Sequence, residues 1–208
     1  MLLSEWYPLL KEFTFETKMI PLQQEKSEID KAIESTIQKW GPVFVRLDQQ
    51  SPKHFEPCKN PKQVWQCLKV PRTEPLLATS KFLCLRRWVS FEKLIELRCF
   101  LHCGLTGISQ NDAQKDSKPM DNPKEMKKVA IDFIESITNI LPDHCTVDLA
   151  FDEDIKVFVV GVNSSFLDRA GSGLFDLDNP ADEYQLKKGQ GKIIFRYYSD
   201  IFYGLEEC

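Results

Sequence analysis

Apolar positions recur along the chain with two periods, every second residue in strands and every third to fourth in helices. Phe13 and Phe15 alternate with polar neighbours within residues 11–22, which predicts an edge strand stopped by Pro21. Ile29, Ile33, Ile37 and Trp40 repeat at helical spacing, so 27–40 is predicted helical. Ser27 and Asp30 form a weak capping box for it, and Gly41-Pro42 ends it. Val43-Phe44-Val45-Arg46-Leu47 starts a strand and 48–59 reads as loop. Asn60-Pro61 then opens a short helix holding Val64, Trp65 and Leu68, with Asn as cap and Pro at the first helical position.

Residues 82–89 read as a strand, and 94–102 with 105–109 as a hairpin turning near Cys103-Gly104. After a polar loop over 110–121, Asn122-Pro123 caps a second amphipathic helix. Its apolar side carries Met126, Val129, Ala130, Phe133, Ile137 and Leu141, and Pro142 ends it. A final hairpin pairs 146–151 with 156–163 across the acidic turn Asp152-Glu153-Asp154. Residues 164–192 are polar and carry no element signal, and 193–198 reads as a last strand. Strands and hairpins punctuated by a few helices predict an α+β fold with largely antiparallel sheets, not the β-α-β alternation of a dinucleotide-binding domain.

Composition narrows the class. The 208 residues, 42% of them apolar and including 14 Phe and 4 Trp, suffice for a real core. Twenty-seven basic against 31 acidic residues give a net charge of −4, which argues against a nucleic-acid binder. The opening Met1-Leu2-Leu3-Ser4-Glu5 lacks a basic stretch and meets an acid at once, so no secretory leader is expected. With no apolar run of membrane-spanning length either, the expectation is a cytoplasmic monomer away from membranes. The seven cysteines are odd in number and scattered through apolar segments, as reduced core thiols are. Cys99-Phe100-Leu101-His102-Cys103 resembles a metal cluster, but residues four apart on a strand are roughly 13 Å apart, too far to share one zinc. The chain has only three histidines (His54, His102, His144) and no Walker loop or nucleophile elbow.

Two constellations carry chemistry. If the last hairpin turns through 153–156, Asp148 lies opposite Gly161 with Asn163 diagonal to it on the same face. That pair is either a set of hard oxygen ligands for Mg²⁺ on substrate phosphates or an ordinary polar pair at a sheet rim. Arg86-Arg87 in one strand and Arg98 in the next suit phosphate oxygens, because the guanidinium fork binds them bidentately. A cross-strand ion pair with Glu92 or Glu96 is the alternative.

Several segments in order carry a family resemblance. They are Trp6-Tyr7-Pro8-Leu9, Ile20-Pro21-Leu22, Leu83-Cys84-Leu85-Arg86-Arg87-Trp88, Glu96-Leu97-Arg98-Cys99-Phe100, Gly107-Ile108-Ser109-Gln110, and Asp148 followed by Val157-Phe158-Val159-Val160-Gly161-Val162-Asn163. Together with Phe195-Arg196-Tyr197 they resemble the cell division cycle protein 123 family over about residues 6–198. The resemblance implies a single ATP-grasp-like unit of two lobes, about 1–80 and about 81–208. It implies a non-catalytic chaperone that binds ATP and Mg²⁺ and holds the gamma subunit of translation initiation factor 2 so that the alpha subunit can join. Arg46 falls where the family has a phosphate-binding lysine, and Leu83, Cys84 and Leu85 where the lobe hinge meets the adenine. Arg86 and Arg98 would face phosphates, and Asp148 and Asn163 would hold the metal.

The chain departs from that pattern near the nucleotide. Gly161 stands at the second metal carboxylate, Asn111 at an arginine, and Asp48-Gln49-Gln50-Ser51-Pro52 at the family's N-W-S-x-P. These changes imply weakened or lost Mg²⁺-ATP binding in a divergent, shortened member. A paralogue that competes for the same partner is an alternative, as is a ligase-type enzyme joining a carboxylate to an amine, against which Gly161 argues. Trp6, Tyr7 and the polar 164–192 segment would contact the partner, with lobe core as the other reading of the two aromatics.

Overall fold

Two separate sheets, of three and six strands, organise the computed structural model. It describes residues 1–53, 56–90, 94–111, 120–164, 171–189 and 192–198, and the backbone alone of 203–207. His54, Glu92, most of the polar loop 110–121, part of 164–192 and the terminal Cys208 lie outside the described residues. The chain divides into two compact units, Met1–Ser90 and Phe91–Cys208. The division between these units falls after 82–87, the central strand of the first sheet.

The first unit contains α1 (Leu3–Leu10), a 3-10 turn (Lys11–Phe13), β1 (Thr17–Pro21), α2 (Lys26–Trp40), β2 (Val43–Leu47), α3 (Pro61–Leu68) and β3 (Phe82–Arg87). The sheet runs β1-β3-β2, antiparallel throughout. Ile20, Val43, Val45, Leu47, Leu83 and Leu85 share one face and bury against Ile29 and Ile33 of α2 and Val64 and Leu68 of α3. Each such aliphatic side chain contributes about 1.5–3 kcal/mol by leaving water. Punctuation explains the helix limits. The Asn60 carboxamide oxygen accepts from the Gln63 N–H at 2.9 Å ahead of Pro61. Gly41, at φ 77°, gives its N–H to the Ile37 carbonyl and stops α2.

Two local expectations fail here, and one element carries no signal. Ser27 does not cap α2, whose flanking residue is Glu25 with no capping side chain. The Phe13/Phe15 alternation is a tight turn leading to a shorter β1, with Phe13 largely exposed. The eight-residue α1, interrupted by Pro8, is too short for a periodic signal, yet it buries Leu3, Trp6 and Leu10. Trp6 is therefore lobe core, and the Tyr7 hydroxyl accepts the Thr17 N–H at 3.0 Å.

The second unit contains β4 (Ile95–His102), β5 (Leu105–Gln110), α4 (Pro123–Ile137), a 3-10 turn (Thr138–Ile140), β6 (His144–Phe151), β7 (Val157–Asn163), α5 (Pro180–Lys188), β8 (Ile194–Tyr198) and β9 (Tyr203–Glu207). The sheet order is β7-β6-β4-β5-β8-β9, with β5–β8 parallel and the other pairs antiparallel. The observed elements are thus the α+β, largely antiparallel set that the patterning predicts. α4 buries Met126, Ala130, Phe133, Ile134 and Ile137, although Asn122 sits left-handed (φ 54°) and caps nothing. No helix among the described residues is long and apolar enough to cross a membrane.

α5 lies in the segment that carries no hydrophobic signal. Only Leu186 is a buried apolar residue on it, beside the buried polar Asp182 and Gln185. The readable cue was punctuation: Asn179-Pro180 at its start, with Asn179 accepting from Ala181 N–H, and a left-handed Gly189 at its end.

Candidate functional site

The sequence candidates fall into two clusters, one in each unit. In the first, register decides which residues meet. Arg46 pairs with Cys84 and Phe44 with Arg86, so Arg46, Cys84 and Arg86 share the sheet face opposite the helical core. Leu83 and Leu85 point the other way, into that core. β3 is the central strand, so the backbone groups of Leu83, Cys84 and Leu85 lie in ladders with β1 and β2. An adenine edge reaching this stretch meets paired N–H and C=O groups rather than a free sheet edge.

Arg86 is almost fully buried. Its Nη2 donates to the Thr14 hydroxyl at 2.6 Å, and the guanidinium lies over Phe15 (5.2 Å) and Trp6 (5.9 Å). Burial, followed by repulsion from Arg46, lowers its pKa to about 9. Arg46 Nε donates to the Leu47 carbonyl at 3.1 Å. Burial pushes the Cys84 thiol up to about 12, with the nearby arginines pulling the other way. Cys84 is therefore held as a neutral, buried thiol.

Asp48 follows β2 with both carboxylate oxygens buried and without a hydrogen-bond partner among the described residues. The resemblance places an asparagine there. Because burying a carboxyl group whose oxygens meet no donor is costly, Asp48→Asn is expected to stabilise the protein by about 1–3 kcal/mol. Urea unfolding of the two forms checks this, and a loss of stability in the variant refutes it.

In the second unit Asp148 is the cross-strand partner of Arg98 on β4 and of Gly161 on β7. The turn between β6 and β7 is one residue longer than expected, which by itself would set Asp148 opposite Val160. A bulge that leaves Val160 unopposed restores the pairing with Gly161. Arg86 and Arg98 belong to different sheets, so no strand registry links them, and Arg98 ion-pairs with Asp148.

The geometry is a closed fork. Arg98 Nε donates to Asp148 Oδ1 at 2.7 Å and Nη2 to Oδ2 at 3.2 Å, while Nη1 donates to the Gly171 carbonyl at 3.1 Å. Asn163 Nδ2 faces Asp148 Oδ2 and Thr146 Oγ1, each at 3.4 Å. Asn111 Nδ2 donates to Glu96 Oε2 at 2.7 Å. Burial raises the Glu96 carboxyl above its usual range, with the Asn111 bond opposing it.

Mg²⁺ needs oxygen donors that together carry negative charge. Both Asp148 oxygens already accept from Arg98, Asn163 turns its nitrogen toward them, and Gly161 offers no side-chain oxygen. This donor set, as arranged, does not fit Mg²⁺. Among the described residues no three His, Cys, Asp or Glu side chains converge as a metal site.

The Gly107-Ile108-Ser109-Gln110 segment has a structural basis that spacing did not reveal. A Cβ on Gly107 would come within 2.7 Å of Leu186, so glycine here admits α5 onto the sheet. Ser109 Oγ accepts the Leu174 N–H at 2.7 Å, and Gln110 Oε1 accepts the Tyr198 N–H at 2.9 Å. The segment thus holds the chain on both sides of α5.

This two-sheet α+β architecture is ATP-grasp-like. Aligned with D-alanine–D-alanine ligase from Bacillus anthracis complexed with ATP, it has a TM-score of 0.55 at 14% identity, covering 88% of this chain and 61% of the ligase. Within that class the family is D123, whose model matches residues 55–199, and the chain belongs to it. The solved structure of Cdc123 from Schizosaccharomyces pombe shares the fold at a TM-score of 0.71 and 20% identity, over 85% of this chain and 88% of that one. A CDC123-like protein of Acanthamoeba polyphaga mimivirus is 26% identical over 223 residues, 85% of this chain and 68% of the relative.

Proposed function

We propose that the chain is a non-catalytic assembly chaperone that binds the gamma subunit of translation initiation factor 2 and promotes joining of the alpha subunit. In this reading it acts as a cytoplasmic monomer whose Mg²⁺-ATP binding is weakened or lost. Membership of the D123 family supports the partner. The observation that carries the nucleotide part is the Arg98–Asp148 fork, which joins the expected phosphate cation to the expected metal ligand. Arg46, Leu83, Cys84, Leu85, Arg86 and Arg98 are the positions that faced nucleotide, and Asp148 with Asn163 is the remnant of the metal site. An acyl-phosphate ligase needs carboxylates free to hold metal, and the one carboxylate at this position is occupied by an arginine.

Two measurements test this separately. Affinity-tagged chain should retain purified gamma subunit, and absence of retention overturns the partner assignment. Calorimetric titration with Mg²⁺-ATP should give no more than weak, high-micromolar binding. Low-micromolar affinity that collapses in Asp148→Ala, measured where the variant is folded, overturns the degenerate site.

A further inference from the structure

Inside the first unit the sulfurs of Cys58 and Cys67 lie 3.3 Å apart. Each belongs to a separately anchored piece of backbone. Cys58 is bridged to Val43 of β2, its N–H donating to the Val43 carbonyl at 2.8 Å and its carbonyl accepting the Val43 N–H at 2.9 Å. Cys67 sits in the last turn of α3, a helix capped by Asn60 and tied at its end by the Thr73 hydroxyl, which donates to the Leu68 carbonyl at 2.8 Å. Both cysteines belong to the apolar cluster that α2 and α3 form with the three-stranded sheet. A disulfide bond is about 2.0 Å long, so each sulfur has to move only about 0.6 Å to form one.

Proximity of this kind does not follow from having many cysteines. Cys99 and Cys145 also lie on paired strands, but Cys99 is set opposite Val147 and Cys145 opposite Leu101. Such diagonal positions are about 7–8 Å apart, a span that a disulfide closes only if the backbone moves.

We propose that Cys58 and Cys67 form a reversible disulfide switch, oxidised by hydrogen peroxide and reset by a thiol reductant. Cys67, 6% exposed against 1% for Cys58, meets the oxidant first. Its sulfur attacks one peroxide oxygen, the O–O bond breaks, and the thiol proton leaves with the departing hydroxide as water. The Cys58 sulfur then displaces hydroxide from the resulting sulfenic acid, and the Cys58 proton completes a second water. Two thiols thereby lose two electrons and two protons, and one peroxide becomes two waters. Burial, followed by the neighbouring Cys67 thiol, pushes Cys58 up to about 12, so it keeps its proton until that second step. The new bond fastens the end of the 48–59 segment to α3, where the reduced chain joins the same segment to β2 by its backbone bridge. The switch is independent of the nucleotide and partner assignments.

The test treats reduced, folded full-length chain with hydrogen peroxide, stops the reaction with catalase and alkylates in guanidinium. Two of the seven thiols should be lost to alkylation and return after dithiothreitol. Tryptic cleavage after Lys59 and Lys62 separates the two cysteines, so non-reducing mass spectrometry should find their peptides joined and two hydrogens lighter than the reduced pair. Cys58→Ser should stop at a sulfenic acid on Cys67 that dimedone captures, and dimedone capture at Cys58 in Cys67→Ser overturns the order of attack. All seven thiols still alkylated, a loss that dithiothreitol does not restore, or a cross-link at Cys99–Cys145 in place of 58–67 overturns the proposal. So does a 58–67 link that forms only in urea.

Discussion

Asp148→Ala is expected to destabilise the second unit by about 3–5 kcal/mol, the loss seen when a buried charge is stripped of its partner. The Arg98 and Asp148 side chains are only 11% and 14% exposed, so water cannot replace the carboxylate cheaply. The guanidinium would keep its bond to the Gly171 carbonyl and lose both of its bonds to the Asp148 carboxylate. Asp148→Asn, which keeps one acceptor and the shape, should lose less. Replacing both residues with Leu should recover much of the loss, because a hydrophobic pair of similar volume avoids the desolvation of two ions. Urea unfolding of the four proteins checks the order. An unfolding midpoint in Asp148→Ala equal to that of the parent would mean the fork contributes nothing to stability. The same comparison guards the nucleotide experiment, since an alanine variant that has merely melted also fails to bind.

Asp182→Ala should be comparably damaging, again about 3–5 kcal/mol. Asp182 on α5 holds Arg196 of β8 through two hydrogen bonds and also accepts the Asp176 N–H at 2.8 Å. Arg196 further donates to the Leu174 carbonyl at 3.1 Å and lies 4.5 Å from the Phe175 ring centroid. One side chain therefore ties the helix, the loop before it and a sheet strand together. Native-state hydrogen exchange should show α5 amides losing protection in the variant well before those of β4 and β6. Uniform loss across the unit would place Asp182 in the global core instead of a local dock.

These two networks mark where sequence reading succeeded and where it failed. Elements built on apolar burial were legible: α2 through Ile29 and Ile33, α3 through Asn60-Pro61 and Val64, and the β4–β5 hairpin through its alternation. Elements built on polar contacts were not. α5 docks through Asp182, Gln185 and a glycine opposite Leu186, none of which produces a hydrophobic period. α1 is too short and too interrupted for one. The candidate residues were largely visible as residue types, but their partners were not. Spacing could set Asp148 opposite Gly161, whereas the Arg98 fork depends on β4 lying between β6 and β5, a matter of sheet order. Arg86 and Arg98 likewise sit on strands adjacent in sequence that belong to different sheets, which spacing does not reveal.

The parallel pairing of β5 with β8 bears on how the chain comes off the ribosome. β5 pairs with β4 as soon as their hairpin closes, but its other edge waits until α4, β6, β7 and α5 have all been made. Throughout that interval a strand with a buried Thr106–Gln110 stretch presents unpaired backbone groups, a template for association between nascent chains. Pairing across so many intervening residues is also slow, because loop closure precedes any reward from contact. The chain thus has a vulnerable interval of its own, one that slowed translation after β8 would leave unchanged and slowed translation before it would prolong.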